Sequence, residues 1–243
     1  MRVFFPTALA IALSACSRAP DPPAQESPPA KVVMKPTASP PDVEKPAASP
    51  LNEDTRRKLV VFGDSLSAGY GLAPGESYPD DLQRKLDAAG YAWHVVNLGI
   101  SGDTTEGGVA RLDAAVALKP SVAIVELGGN DGLRGLPLEV TRKNLEAMIA
   151  AFQGAGAKVV LAGMTLPPNY GVPYIHGFEK IYKELAAARH CTLIPFLLAD
   201  IVTPDLHYLQ RDGIHPTAEG AEIVAGTVLR AVKPLLGAPD AKR

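Results

Sequence analysis

Apolar residues arrive in two rhythms along this chain. Short, mostly apolar runs at Leu59-Val60-Val61, Trp93 to Leu98, Ser121 to Leu127, Lys158 to Ala162 and Thr192 to Leu197 predict strands, the last one short or merely extended. Between them the apolar positions fall at helical spacing. Tyr78 to Ala89 predicts a helix that Gly90 stops. Glu106 to Leu118 predicts another, with Val109, Leu112 and Val116 on one face. Leu138 to Gln153 follows, apolar at Val140, Leu145, Met148, Ile149 and Phe152. Tyr174 to Arg189 and Thr217 to Val232 complete the set, the last entered through Pro216. Strands that read as continuous apolar runs, alternating with helices, predict a parallel sheet covered on both faces. The expected fold is therefore α/β, a three-layer α/β/α sandwich around a five-stranded parallel sheet. No fixed-period repeat interrupts this pattern.

The first part of the chain does not share it. Arg2 precedes a mostly apolar stretch, Val3 to Leu13, too short to span a bilayer as a helix. It ends in Leu13-Ser14-Ala15-Cys16, which matches a bacterial lipobox, so 1–16 is expected to be a lipoprotein signal peptide with Cys16 as the lipidated residue. Residues 17–57 are rich in Pro, Ala, Ser and charge and have no apolar period to bury, which predicts a disordered tether. The folded domain is expected over 58–237, with a disordered tail at 238–243.

Composition narrows the function. Of the chain's 243 residues, 24 are Lys or Arg and 26 are Asp or Glu, a formal net charge of −2 that creates no field for nucleic acid. Only two cysteines occur, and if Cys16 carries lipid, Cys191 has no partner and should pack as a small hydrophobe near Leu193 and Ile194. His94, His176, His190 and His207 lack metal-ligand spacing, so no metal and no cofactor are expected.

The chemistry gathers at strand ends. The first run leads into Phe62-Gly63-Asp64-Ser65-Leu66-Ser67, where Gly63 should let the chain turn and Ser65 should stand at the carboxyl edge of the sheet, where open α/β folds bind ligands. Alone, Gly-Asp-Ser is an ordinary helix cap. Three further blocks follow in order: Ser101-Gly102-Asp103, Gly128-Gly129-Asn130-Asp131 and Asp212-Gly213-Ile214-His215. The ordered set, over about Lys58 to Leu236, resembles the GDSL (SGNH) family of serine esterases, and most nearly its bacterial periplasmic thioesterase I, arylesterase and lysophospholipase branch.

A serine is a poor nucleophile at neutral pH and needs an adjacent base. His215, with an ordinary pKa of about 6.5, can take its proton and return it to a leaving group, and Asp212 three residues earlier can orient the imidazole. Ser65, Asp212 and His215 are thus the expected catalytic residues. The resemblance implies an oxyanion hole made of the Ser65 and Gly102 backbone N–H groups and the Asn130 side-chain amide. It also implies the SGNH hydrolase fold, which is flavodoxin-like. Asp64, Asp103 and Asp131 read as loop-ordering or capping carboxylates. Leu133, Leu166 and Tyr170, with Leu136 and Val172, are candidates for an apolar acyl groove or for plain loop packing.

The expected function is hydrolysis of carboxylic esters and thioesters through an acyl-serine intermediate, on small-molecule ester, thioester or lysolipid substrates. The alternatives are a carbohydrate O-deacetylase of the same fold and a non-catalytic binding lipoprotein. The expected setting is a monomer in the periplasm, held by its lipid to the outer membrane of a Gram-negative bacterium, with no nucleic-acid partner.

Overall fold

The structure is a computed structural model and describes residues 54–239. The signal peptide, Cys16 and nearly all of the tether fall outside the described residues, as does most of the tail. Among the described residues no helix is long and apolar enough to cross a membrane.

Five strands form one parallel sheet: β1 (Arg57–Gly63), β2 (Trp93–Asn97), β3 (Val122–Glu126), β4 (Lys158–Ala162) and β5 (Thr192–Ile194). Their order is β2-β1-β3-β4-β5, the flavodoxin-like arrangement in which the direction of winding reverses between β1 and β3. The first strand begins at Arg57, one residue into the stretch expected to be tether. The apolar runs read from the sequence are buried on both faces: Leu59 to Phe62 and Val122 to Val125 are fully inaccessible. The fifth run ends sooner than expected, at Ile194, because Pro195 has no N–H to extend the ladder.

The two helical layers are α2 (Tyr78–Ala88) with α8 (Ala218–Leu236) on one face, and α3 (Thr105–Ala110), α4 (Leu112–Ala117), α6 (Leu138–Gly154) and α7 (Val172–Arg189) on the other. The three-layer expectation holds. Two short helices, α1 (Ser65–Ala68) and α5 (Gly129–Leu133), cap the carboxyl ends of β1 and β3. Neither has the length to show a period, so neither was legible as a helix.

Two expectations need correction. The helix read over Glu106 to Leu118 is two helices meeting at Arg111, whose φ of −112° and ψ of 9° leave the helical region. There the guanidinium lies 4.0 Å over the Phe62 ring and bonds Asp103 Oδ2, Leu98 O and Gly63 O at 2.7, 2.8 and 2.9 Å. Tertiary bonds of an arginine override the local period here. In consequence Val109 is exposed while Leu112 is buried. The second correction concerns Gly63, which does not adopt a left-handed turn. What excludes a side chain is space, since a Cβ would come within 2.2 Å of both Glu126 Oε2 and Ser67 Oγ.

Candidate active site

Each candidate residue sits where a strand stops. Asp64 follows β1 and caps α1, its carboxylate accepting from Leu66 N–H at 3.1 Å. Ser65 is therefore the first residue of a one-turn helix, with its hydroxyl at the sheet edge. Asn130 is the second residue of α5, beyond β3. Because β1 and β3 adjoin at the point where the winding reverses, these two loops flank one crevice.

The loop before α8 supplies the rest. Asp212 Oδ1 accepts from the N–H groups of Ile214 and His215 at 2.9 and 3.0 Å, which folds the segment into a tight turn. That turn sets Asp212 Oδ2 2.7 Å from His215 Nδ1, while His215 Nε2 lies 2.9 Å from Ser65 Oγ. Burial alone would raise the Asp212 carboxyl, but hydrogen bonds from His215 and Ile214 and the histidine's charge outweigh it and hold it below the usual carboxylate range. It stays an anion, able to stabilise an imidazolium.

Across from the serine stand donors without acceptors. No backbone carbonyl among the described residues accepts from the N–H of Ser65 or Gly102. Gly102 has φ of 80°, a left-handed conformation in which a Cβ would meet no atom closer than 3.9 Å, so glycine is required here for its backbone and not for its size. Asn130 Nδ2 gives one hydrogen to Asp64 Oδ2 at 3.0 Å and keeps the other. The loops are tied together: Asp131 accepts from Thr105 N and Oγ1 at 2.8 and 2.5 Å, Arg111 joins Asp103 to Gly63, and Arg134 donates to Gly102 O at 2.8 Å. Asp64, Asp103 and Asp131 thus order loops and caps, in the manner read from the sequence.

The crevice opens into a cavity of about 660 Å³ that Ser65, Gly102, Asn130 and His215 share with Leu133, Leu166, Met164, Pro167, Phe196, Leu198, Val202, Leu209 and Ile214. Leu133 and Leu166 are among its lining residues. Tyr170, Leu136 and Val172 do not line it. The Tyr170 hydroxyl donates to Leu133 O at 2.7 Å and supports the wall from behind, the Tyr174 hydroxyl donates to Leu136 O at 2.8 Å, and Val172 is exposed. The wall from Phe196 to Ile214 was not anticipated, because that irregular segment carries no period to read. Tyr70 was missed as well: its ring lies 4.6 Å from that of His215 at a 40° tilt, and Gln210 Nε2 pins the Tyr70 and Pro216 carbonyls at 2.7 and 2.8 Å. Cys191 is half-buried near Gln153, away from the crevice, with its thiol pushed up by burial. Among the described residues no cluster of His, Cys, Asp or Glu could hold a metal ion.

A hydroxyl, an imidazole and a carboxylate in line, facing unpaired N–H donors across an apolar cavity, is an arrangement suited to acyl transfer. The GDSL-like Lipase/Acylhydrolase family matches residues 61–223. The chain belongs to this family. The esterase is 43% identical to "Esterase TesA" of Pseudomonas aeruginosa over 179 residues, covering 73% of this chain and 89% of that protein. It is 36% identical to "Thioesterase 1/protease 1/lysophospholipase L1" of Escherichia coli K12 over 179 residues, 73% of this chain and 84% of that one. A solved structure titled "Crystal Structure of TesA" superposes with a TM-score of 0.71 at 42% identity, over 74% of this chain and all of the other. The chain is a serine ester hydrolase of the GDSL type with the SGNH hydrolase fold.

Proposed function

We propose that Ser65 attacks the carbonyl carbon of an acyl ester or thioester, with His215 as general base and then general acid and Asp212 as the orienting anion. His215 Nε2 takes the hydroxyl proton as the Ser65 Oγ–carbon bond forms, then gives it to the departing alkoxide or thiolate. Water, deprotonated by the same imidazole, cleaves the acyl-serine. The Ser65 and Gly102 N–H groups and the free Asn130 hydrogen meet the carbonyl oxygen as it gains charge, where one such donor is typically worth about 10²–10³ in rate. The observation that carries this reading is the unbroken Asp212–His215–Ser65 chain, at 2.7 and 2.9 Å, beside unpaired donors.

The substrates are acyl chains of medium or greater length on small alcohols, aryl alcohols, thiols or lysolipids. An apolar cavity of about 660 Å³ supports this reading, since an acetyl group would leave most of it unfilled. Hydrolysis of p-nitrophenyl esters from acetyl to palmitoyl tests it: kcat/KM should rise with chain length through the medium chains. Activity confined to acetyl would instead favour a carbohydrate deacetylase.

The enzyme works in the periplasm as a monomer, tethered through lipid on Cys16 to the outer membrane. The lipobox Leu13-Ser14-Ala15-Cys16, followed by Ser17 and not Asp, supports this. Membrane fractionation of cells expressing the full chain and Cys16→Ser tests it, and a membrane-bound Cys16→Ser protein would refute it.

A further inference from the structure

The strand β3 ends in an acid. Glu126 is the last residue of an otherwise apolar run and is wholly buried. The mechanism above does not use it, yet it lies directly beneath the nucleophile turn. Glu126 Oε2 accepts from Asp64 N–H at 3.2 Å and lies 2.5 Å from Ser67 Oγ, which is 2.9 Å from Tyr78 Oη. Glu126 Oε1 has no hydrogen-bond partner among the described residues. A second carboxyl, that of Asp64, is also buried and adjoins it. No cation pairs with either acid among the described residues, and Arg111 is committed to Gly63 O, Leu98 O and Asp103.

Two carboxylates cannot both be charged in such a place. Burial and mutual repulsion both favour keeping a proton. The partners decide where it stays. Asp64 receives the Leu66 N–H and the Asn130 amide, both of which favour its anion. Glu126 meets only the Ser67 hydroxyl and a single backbone N–H, both at Oε2, with Oε1 unmet.

We propose that Glu126 is a positioning residue held as the neutral acid, sharing one negative charge with Asp64, so that Asp64 remains the charged acceptor that aims the Asn130 amide at the oxyanion. The proposal rests on the reading of Asn130 as an oxyanion donor. Burial pushes Glu126 well above the usual carboxylate range and the Asp64 charge adds to that, outweighing the pull of the Ser67 hydroxyl and the Asp64 N–H. Burial also raises Asp64, to about 6, against the pull of Leu66, Glu126, Asn130 and the charge of His215. The Tyr78 phenol, buried beside Ser67, and the Tyr182 phenol, which donates to Leu127 O at 3.0 Å, are both raised and stay neutral. An imidazolium at His215, formed during turnover, draws the pair's charge toward Asp64 at the moment when the oxyanion needs its donor.

The direct test is infrared spectroscopy of the folded enzyme between about pH 6.5 and 8.5, where an ordinary glutamate with a pKa of about 4.3 is ionised. The wild type should show a carboxylic-acid carbonyl band that Glu126→Gln removes. In turnover, Glu126→Leu should lower kcat at least tenfold with KM little changed. Glu126→Gln, which stays neutral and keeps an acceptor for Asp64 N–H, should restore most of that loss.

Stability gives a third readout. A folded-state value above the unfolded one means that the folded chain keeps a proton the unfolded chain releases. The associated stability is complete below the unfolded pKa and is lost as pH rises through the folded value. Glu126→Gln lacks this loss, so its Tm relative to wild type should climb with pH above about 5.

Absence of the acid band in wild type overturns the proposal, even if no variant folds. So does a band that Glu126→Gln leaves unchanged, or a Glu126→Gln enzyme as slow as Glu126→Leu. Unchanged kcat in Asn130→Ala would instead remove the oxyanion reading, and the band, which needs no turnover, tells the two failures apart.

Discussion

Arg111 joins three segments that must agree on where the proposed oxyanion hole lies: the end of β1 at Gly63, the chain after β2 at Leu98, and the loop carrying Gly102 and Asp103. Replacing it with Met keeps most of the stem over Phe62 and deletes the fork. The three bonds, at 2.7 to 2.9 Å, all involve the charged guanidinium, and such bonds are worth about 1.5–3 kcal/mol each. Not all of that is lost. Gly63 O keeps its bond from Ile100 N at 3.1 Å, and Leu98 O can take water. Asp103 fares worst, since its side chain is only 13% exposed and would lose its cation. Orphaning one partner of such a pair sets the scale at about 3–5 kcal/mol. For a domain of this size that is a fall in Tm of roughly 6–20 °C. Arg111→Lys keeps the charge but cannot reach three acceptors from one ammonium, so it should lose about half as much. Activity should fall further than stability explains. A displacement of about 1 Å in the Gly102 N–H is enough to cost up to ~10²-fold in kcat. Thermal unfolding and p-nitrophenyl butyrate kinetics on wild type, Arg111→Lys and Arg111→Met measure both. Refutation would be an Arg111→Met enzyme melting within about 3 °C of wild type. A destabilised Arg111→Met enzyme with unchanged kcat would equally refute the link to the oxyanion loop.

Three smaller predictions follow from the same geometry. Asn130→Asp removes a donor and sets a carboxylate against Asp64 Oδ2, now 3.0 Å from the amide, so kcat should drop by about 10²–10³ while KM changes little. Asp212 stays ionised below the ordinary carboxylate range, so it loses its charge, and the stability linked to it, only as pH falls through that depressed value. Above that value Asp212→Asn should therefore lower kcat at every pH, measured across the pH-rate profile of both enzymes. Cys191, half-buried and raised, should react with a thiol reagent far more slowly in the folded enzyme than in denaturant.

The residues whose placement was legible in the sequence are those positioned by local structure. Ser65, Asn130, Asp212 and His215 each sit in a short block beside a strand end or helix start, and the apolar runs that became β1 and β3 announced where those ends would be. The Asp212 turn is fixed by bonds two and three residues away, so its spacing alone made the pairing with His215 readable. What escaped reading is set by partners distant in the chain. The helical period runs through Arg111 without a fault, and only bonds to Gly63 and Leu98 break it. Tyr170 shares a Pro-rich loop with Leu166 and looked like groove lining, but its hydroxyl is claimed by Leu133 O, 37 positions away. Glu126 did leave a signal, an acid closing a fully apolar strand. Its meaning depends on Ser67 and Asp64, which no pattern around β3 reveals.

Ser65 is the residue proposed to carry the acyl group. Mass spectrometry of the enzyme treated with a fluorophosphonate, followed by tryptic digestion, addresses it directly. A single adduct is expected on the 59–84 peptide, assigned by fragmentation to Ser65 and not to Ser67 or Ser77, and absent in Ser65→Ala, which should also be inactive. Labelling at another residue, or esterase activity surviving in Ser65→Ala, would contradict it.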